Sequence, residues 1–449
     1  MERQRRGLTS GVIWKELVLF SIPLLLGNLF QLLYNTVDSI VVGNFVGHQA
    51  LAAVGASTPL INMLIGFFMG VATGAGVIIS RYYGGNKTEE LQKTVHTFVA
   101  FTLIFGIFMM IFGLVMTPTF LRWMGTPDDV FDMAVVYLQI YFLGIMPTMM
   151  YNTGAGILQA VGDSRRPLIF LTCASVLNIV LDLVFVINFN MGVAGVAWAT
   201  LIAQAVSCML VCLTLIHSRE VYRVQIRKIR LHKDMLIQVI RLGIPSGLQQ
   251  MIVSFSNVLV MSYVNGFGST AVAGFSSANK FDNFLGLPVQ SFMLAITTFV
   301  GQNMGARKMD RVRKGIRTCL VIGLITVVAI GIPAFLFSDV CIRMFSQEAE
   351  VIRYGSRMMR TLVPFYCLLN VAQVLSGAVR GSGNTTVPML VNVLNFCVVR
   401  QVFLSAFMAL FNTIEVVFWS YPVTWALSAI IMTLYIVRQP WMKESYQGE

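Results

Sequence analysis

Apolar residues run through the chain in long blocks, broken at near-regular intervals by charge or by Pro/Gly punctuation. Cutting at those breaks leaves about twelve segments, each at least as long as the ~20 residues that a bilayer core demands. They cover 15–40, 51–80, 95–117, 132–159, 167–189, 193–216, 236–263, 270–300, 316–337, 357–379, 387–411 and 416–437. The connections are too short to hold a soluble domain. The pattern therefore predicts an all-α polytopic membrane protein of about 12 transmembrane helices, with any site inside or between helices. Arg3, Arg5 and Arg6 precede the first run as in a signal peptide. That run is too long, lacks a small-residue cleavage site and leads directly into further spans, so it is read as retained.

A self-match organises the segments. AGILQAVGDSRRP, beginning at Ala155, aligns without gaps on SGAVRGSGNTTVP, beginning at Ser376, an offset of 221. The same offset carries Gly84 and Lys87 onto Gly305 and Lys308, and Ala50 onto Ala271, while Ile22-Pro23 matches Ile244-Pro245 at 222. Three turns in one register across separate hairpins indicate a duplication. Each half holds six spans, an even number, so both enter from the same side and form parallel repeats around a central cleft. The expected division is a tail at 1–14, an N-lobe at 15–216, a basic linker at 217–235, a C-lobe at 236–437 and a tail at 438–449.

Composition agrees with the pattern: 56% of residues are hydrophobic and 12% charged, against roughly 25% charged in soluble domains. The net charge of +12 does not point to nucleic acid, because Lys and Arg concentrate in alternate loops, with Arg122, Arg343 and Arg353 as exceptions. By the positive-inside rule both termini are cytoplasmic. Seven scattered cysteines without CxxC spacing, and four histidines far apart, give no zinc or disulfide frame. No phosphate-cradling P-loop is present. No cofactor is expected beyond a coupling ion.

Few ionisable residues fall well inside spans: Asp38, Asp182, Lys280, Asp282 and Arg400. Each costs at least ~2.5–3.5 kcal/mol at mid-membrane on insertion scales, so each marks a pathway or a paired charge. Gln31, Tyr34, Asn35 and Asp38 recur at i, i+3, i+4 and i+7 and share a helical face. Asn178 and Asp182 share another, and Thr200 adds a hydroxyl. A cavity holding Asp38, Asp182, Asn178 and Thr200, with Gln31, Tyr34 and Asn35 lining it, suits H⁺ or Na⁺ coupling; the bland reading is that each Asp only bonds a neighbouring helix. Lys280 and Asp282 point in different directions on one helix and are assigned a structural or gating role, with Arg400 as a candidate balance for Asp282. Pro23 is a candidate mechanical hinge or a proline merely tolerated near a helix start. Carrying Asp38 and Asp182 forward by 221 lands on Leu259 and Phe403, and by 222 on Val260 and Leu404. The carboxylates belong to one half only.

The two six-helix repeats, the run YNTVDSIVVGNFVG from Tyr34, and the paired turns LQAVGDSRRP and VRGSGNTTVP resemble the multidrug and toxic compound extrusion (MATE) family over nearly the whole chain. The resemblance implies a V-shaped pair of bundles that exports cationic amphiphilic drugs or toxic organic cations in exchange for H⁺ or Na⁺. The expected setting is a bacterial inner membrane, with the protein a monomer. The cation site of the DinF-like branch falls on Asp38, Asn178, Asp182 and Thr200. GIPSGLQQMIVSF from Gly243 lacks the carboxylate that the NorM-like branch carries there, so the resemblance is to the DinF-like branch. Two alternatives are a flippase for a lipid-linked precursor, which several unpaired Arg or Lys in the cleft would favour, and an intramembrane aspartyl enzyme, for which a GxGD motif is missing. A channel would differ in leaking without a driving gradient.

Overall fold

The computed structural model describes residues 7–442, the side chains of His48 and Pro59 excepted. Arg3, Arg5, Arg6 and positions 443–449 of the expected C-terminal tail lie outside the described residues. The first repeat comprises α1 (Ile13–Val41), α2 (His48–Gly84), α3 (Thr88–Trp123), α4 (Asp128–Leu143), α5 (Ile145–Ala160), α6 (Arg165–Leu183) and α7 (Gly192–His217). The second comprises α8 (Lys233–Asn265), α9 (Ser269–Gly305), α10 (Met309–Leu336), the short α11 (Ser338–Arg343), α12 (Ala349–Leu362), α13 (Tyr366–Gly381), α14 (Thr386–Val393), α15 (Arg400–Phe411) and α16 (Ile414–Val437).

Among the described residues, ten helical stretches are long and apolar enough to cross a membrane, and the pair α4–α5, bent by 44°, makes an eleventh. The apolar run of α8 is diluted by Gln249, Gln250, Ser254, Ser256 and Asn257, but at 33 residues it is long enough to be the twelfth. Exposed Ile104, Phe108, Ile111 and Val115 follow one face of α3, an apolar surface suited to lipid and not to water.

The duplication is visible in backbone geometry. Gly47 and Gly268 (φ 116 and 89), Asn86 and Arg307 (φ 53 and 57), and Gly162 and Gly383 (φ 96 and 94) have positive φ at positions 221 apart. A left-handed arginine is uncommon, so its pairing with Asn86 shows that the turn shape persisted while the residue changed. Both repeats also break their fourth span: α4 and α5 meet at Gly144, and α12 and α13 join through the 3₁₀ turn Val363–Phe365, which contains Pro364.

Among the described residues there are three wide π turns. Val42–Val46 extends α1, Val184–Asn188 extends α6, and Leu394–Val399 joins α14 to α15. Such turns are rare and gather at functional sites.

Packing divides the chain into an N-unit, Leu26–Gly247, and a C-unit made of the residues up to Leu25 together with those from Leu248 onward. The changeovers fall inside α1 and α8, just past Pro23 and Pro245. Within the N-unit, a Cβ on Gly70 or Gly74 would run into the backbone of Gly247 or Gly243. These two glycine pairs at i, i+4 let α2 and α8 touch backbone to backbone.

Each unit also holds the lead-in to one repeat. In the N-unit the segment before α8 docks on α3: Gln92 Nε2 donates to Val221 O at 2.6 Å, the Gln225 amide to His96 Nε2 at 2.9 Å, and the His232 amide to Thr97 Oγ1 at 3.1 Å. In the C-unit the segment before α1 docks on α9 and α10. The Leu8 amide donates to Gln302 Oε1 at 2.7 Å, Lys308 Nζ to Thr9 O at 2.8 Å, and Arg311 to Gly11 O at 2.8 Å and Ser10 O at 2.9 Å.

Candidate functional site

The N-unit brings together the residues that the sequence singled out. Asp38 comes from the last turns of α1, Asn178 and Asp182 from one face of α6, and Thr200 from α7. Asp182 is fully buried and Asn178 nearly so, Asp38 is half-buried, and Asn178 Nδ2 donates to Thr200 Oγ1 at 3.4 Å. The Asp38 and Asp182 carboxyls are near enough to act on each other directly. Yet Asp38 Oδ1, Asn178 Oδ1 and both carboxyl oxygens of Asp182 are buried without a hydrogen-bond partner.

Such orphaned acceptors are uncommon, because a buried polar oxygen left unpaired costs the full desolvation of that group. Several on one spot form a socket for something with positive charge or protons. Tyr34 is buried beside Gln31 and Gln204, whereas Gln31 and Asn35 are exposed on the same face of α1. The π turns of α1 and α6 begin within a turn of the two carboxylates and touch each other. Val41, Val42, Val186, Val193 and Val196 form an apolar cluster there, which includes Tyr137.

Two members of this site were missed from sequence. Tyr137, on α4, lies in electrostatic reach of both Asp38 and Asp182. Gln204 adds a further unpartnered oxygen, one turn beyond Thr200 on α7. The i, i+4 spacing from Thr200 was a usable signal for Gln204; nothing local marks Tyr137.

Pro23 lies in the interior of α1, and Pro245 in that of α8. Neither is at a helix start, so each removes a backbone hydrogen bond from the middle of a span. The remaining intramembrane charges are in the C-unit. Lys280 is exposed, with Nζ 5.0 Å from the centre of the Phe345 ring. Asp282 accepts a hydrogen bond from the Tyr366 hydroxyl. Arg400 is only 2% exposed, lies 4.8 Å and 4.5 Å from the ring centres of Phe396 and Tyr421, and donates through Nη1 to Asn257 Oδ1 at 3.2 Å. Asp282 and Arg400 feel each other's charge, but among the described residues no ion pair joins them.

A duplicated bundle of membrane-crossing helices, with unpartnered carboxyl oxygens buried between its spans, has the architecture of a polytopic transporter. The MatE family model matches residues 23–184 and 245–405, one match per repeat. The chain belongs to the multidrug and toxic compound extrusion family, whose members are transporters and not enzymes. It is 31% identical over 401 residues to the probable multidrug resistance protein YpnP of Bacillus subtilis, covering 89% of this chain and 90% of that one. It is 23% identical to the probable multidrug resistance protein NorM of Thermotoga maritima, covering 86% and 84%. A MOP superfamily transporter structure from Pyrococcus furiosus superposes with a TM-score of 0.90 at 26% identity, over 95% of this chain and 96% of that one. These relatives do not separate the DinF-like from the NorM-like branch.

Proposed function

We propose that this transporter is a multidrug exporter that moves cationic amphiphilic small molecules out of the cell in exchange for H⁺ or Na⁺, with the exchange coupled at Asp38, Asp182, Asn178 and Thr200. The observation that carries this reading is the set of buried oxygens of Asp38, Asn178 and Asp182 without partners. Two facing carboxylates in low dielectric are costly as an empty dianion and are relieved by a proton, a sodium ion or an organic cation.

Exchange follows from that cost. The coupling ion and the cationic substrate each neutralise the same negative charge, so one suffices at a time and the empty site is the expensive state. A ligand shifts a conformational equilibrium only by its differential affinity for the two states, and a site assembled from α1, α6 and α7 supplies that difference when α1 moves. Pro23 acts as the hinge: it lies 15 residues before Asp38, roughly 22 Å along the helix. Gln31, Tyr34 and Asn35 present polar groups along the approach to Asp38. The protein works as a monomer in the bacterial inner membrane, with both termini in the cytoplasm.

The test is ethidium efflux from cells expressing Asp38→Asn, with protein level verified, across pH and with or without Na⁺. Efflux falling to background supports the assignment, and the dependence of wild-type efflux on Na⁺ names the ion. Full-rate efflux at every pH, or leakage that needs no gradient, contradicts it.

A further inference from the structure

The buried polar atoms left without partners differ in kind between the two units. In the N-unit they include the oxygens of Asp38, Asn178, Asp182 and Gln204; in the C-unit they include the N–H donors Arg380 Nε, Asn392 Nδ2, Arg400 Nε and Gln401 Nε2, with Asn370 Oδ1 in the opposite sense. One half lacks protons to accept, and the other mostly lacks acceptors.

The duplication relates the two sets. The Pro23–Pro245 register of 222 carries Asn35 onto Asn257 and Asp38 onto Val260. The starts of α6 and α14, Arg165 and Thr386, are 221 apart. The π turn Leu394–Val399 then adds one residue that α6 adds only after Asp182, since a π turn takes an extra residue. Asn178 therefore corresponds to Arg400, and Asp182 to Leu404. The 221 register that pairs Trp198 with Trp419 carries Thr200 onto Tyr421. Contacts repeat accordingly: Asn178 bonds Thr200 in one unit, and Arg400 stacks on Tyr421 and bonds Asn257 in the other. The place that holds two carboxylates in the N-unit holds one guanidinium and two apolar residues in the C-unit.

The rings of Phe396 and Tyr421 engage the guanidinium by cation–π contacts, while Nε has no partner. Asn257, exposed, has its oxygen on Arg400 and its amide N–H groups still to give. Asp282 supplies counter-charge at a distance, its carboxylate held by Tyr366. A planar guanidinium edge beside an amide donor matches a carboxylate or phosphate. We propose that Arg400 and Asn257 form an anion-accepting subsite in the C-unit, which takes the carboxylate or phosphate group of an amphiphilic substrate. This rests on the transporter reading but not on the identity of the coupling ion.

The test uses full-length protein in phosphatidylcholine nanodiscs, titrated with a fluorescent alkyl carboxylate and an alkyl ammonium of equal chain length. Arg400→Gln weakens the carboxylate by at least about tenfold, as truncating a buried charge partner does, and changes the ammonium by less than about twofold. Asn257→Ala, on the exposed side, weakens the carboxylate by about threefold, the worth of one hydrogen bond; Asn257→Asp abolishes carboxylate binding by repulsion. These two variants decide the matter if Arg400→Gln fails to fold. Displacement of the carboxylate by a soluble alkyl phosphate assigns the subsite to free amphiphiles, and displacement only by phosphatidic acid in the disc assigns it to a lipid headgroup. Equal effects on both probes, or none in any variant, overturn the proposal. Binding needs no gradient, so this outcome is independent of the Asp38→Asn efflux result.

Discussion

Asn178 stands one helical turn before Asp182 in the N-unit, and Arg400 stands one turn before Leu404 at the matching place in the C-unit. Asp182 and Leu404 are both fully buried, so the two repeats enclose this position equally well and differ only in what they put there. The turns behave differently: Gly47 and Gly268, Asn86 and Arg307, and Gly162 and Gly383 keep their left-handed backbone whatever the residue. Hairpin geometry constrains the whole bundle, because a turn that cannot form misplaces two spans. A buried charge constrains only its own neighbourhood, and a single substitution reverses its sign. Duplication thus preserved the scaffold and let the interior chemistry diverge.

The largest effect is expected from giving the N-unit the residue of the C-unit. Asp182→Leu is expected to drop drug efflux to background, with a melting temperature unchanged or higher, because it removes a carboxylate that has no partner. An efflux assay paired with thermal unfolding in detergent reads both; loss of fold instead of function would show Asp182 to be structural.

Leu404→Asp places a carboxylate one turn from Arg400, where an i, i+4 ion pair can form. In an Arg400→Gln background the same substitution is expected to cost about 3 kcal/mol, as a lone charge in a span does, and clearly less when Arg400 is present. Equal destabilisation in both backgrounds would mean that 400 and 404 do not share the face assigned to them.

A smaller asymmetry is expected at the prolines. Pro23→Ala restores a mid-helix hydrogen bond in the helix that carries Asp38, and is expected to slow transport several-fold; Pro245→Ala should cost less, because α8 carries no coupling carboxylate. Single-turnover uptake into proteoliposomes separates them, and equal slowing would remove the link between hinge and carboxylate.

The smallest effect concerns the two docked lead-ins. Burial, together with Arg230 and Lys93, holds the His232 imidazole below its ordinary value of 6.5, so the docked linker favours the neutral ring. Below pH 6.5 the released ring takes up a proton sooner than the docked one, and docking weakens as pH falls. Hydrogen-exchange protection, taken relative to the intrinsic amide rate at each pH, should fall at residues 225–236 at pH 5 relative to pH 7.5, while protection at residues 8–11, held by Lys308 and Arg311, should not change.

Much of the fold was legible because each signal was local and repeated. About twelve apolar runs mark the spans, and the paired Gly162 and Gly383 turns mark the duplication within the sequence itself. Asp38 and Asp182 were legible because carboxylates are rare in spans. The break at Gly144, the π turns and the short α11 were not, since a helix interruption leaves the hydrophobic pattern nearly unchanged. The Arg400 surroundings were hidden for a different reason. Its partner Asn257 is 143 residues away, and the π turn of the C-unit shifts the register by one, so that a sequence offset alone pairs Asn178 with Val399.

The proposed exchange has Asp38 and Asp182 bind the coupling ion and the cationic substrate in turn. It is tested most directly by adding tetraphenylphosphonium to the purified transporter and measuring the H⁺ and Na⁺ released into weakly buffered solution. The wild type is expected to release one of these ions on binding, and Asp38→Asn/Asp182→Asn none. Undiminished ion release from the double variant, or substrate binding by the wild type without release at any pH or Na⁺ concentration, would contradict it.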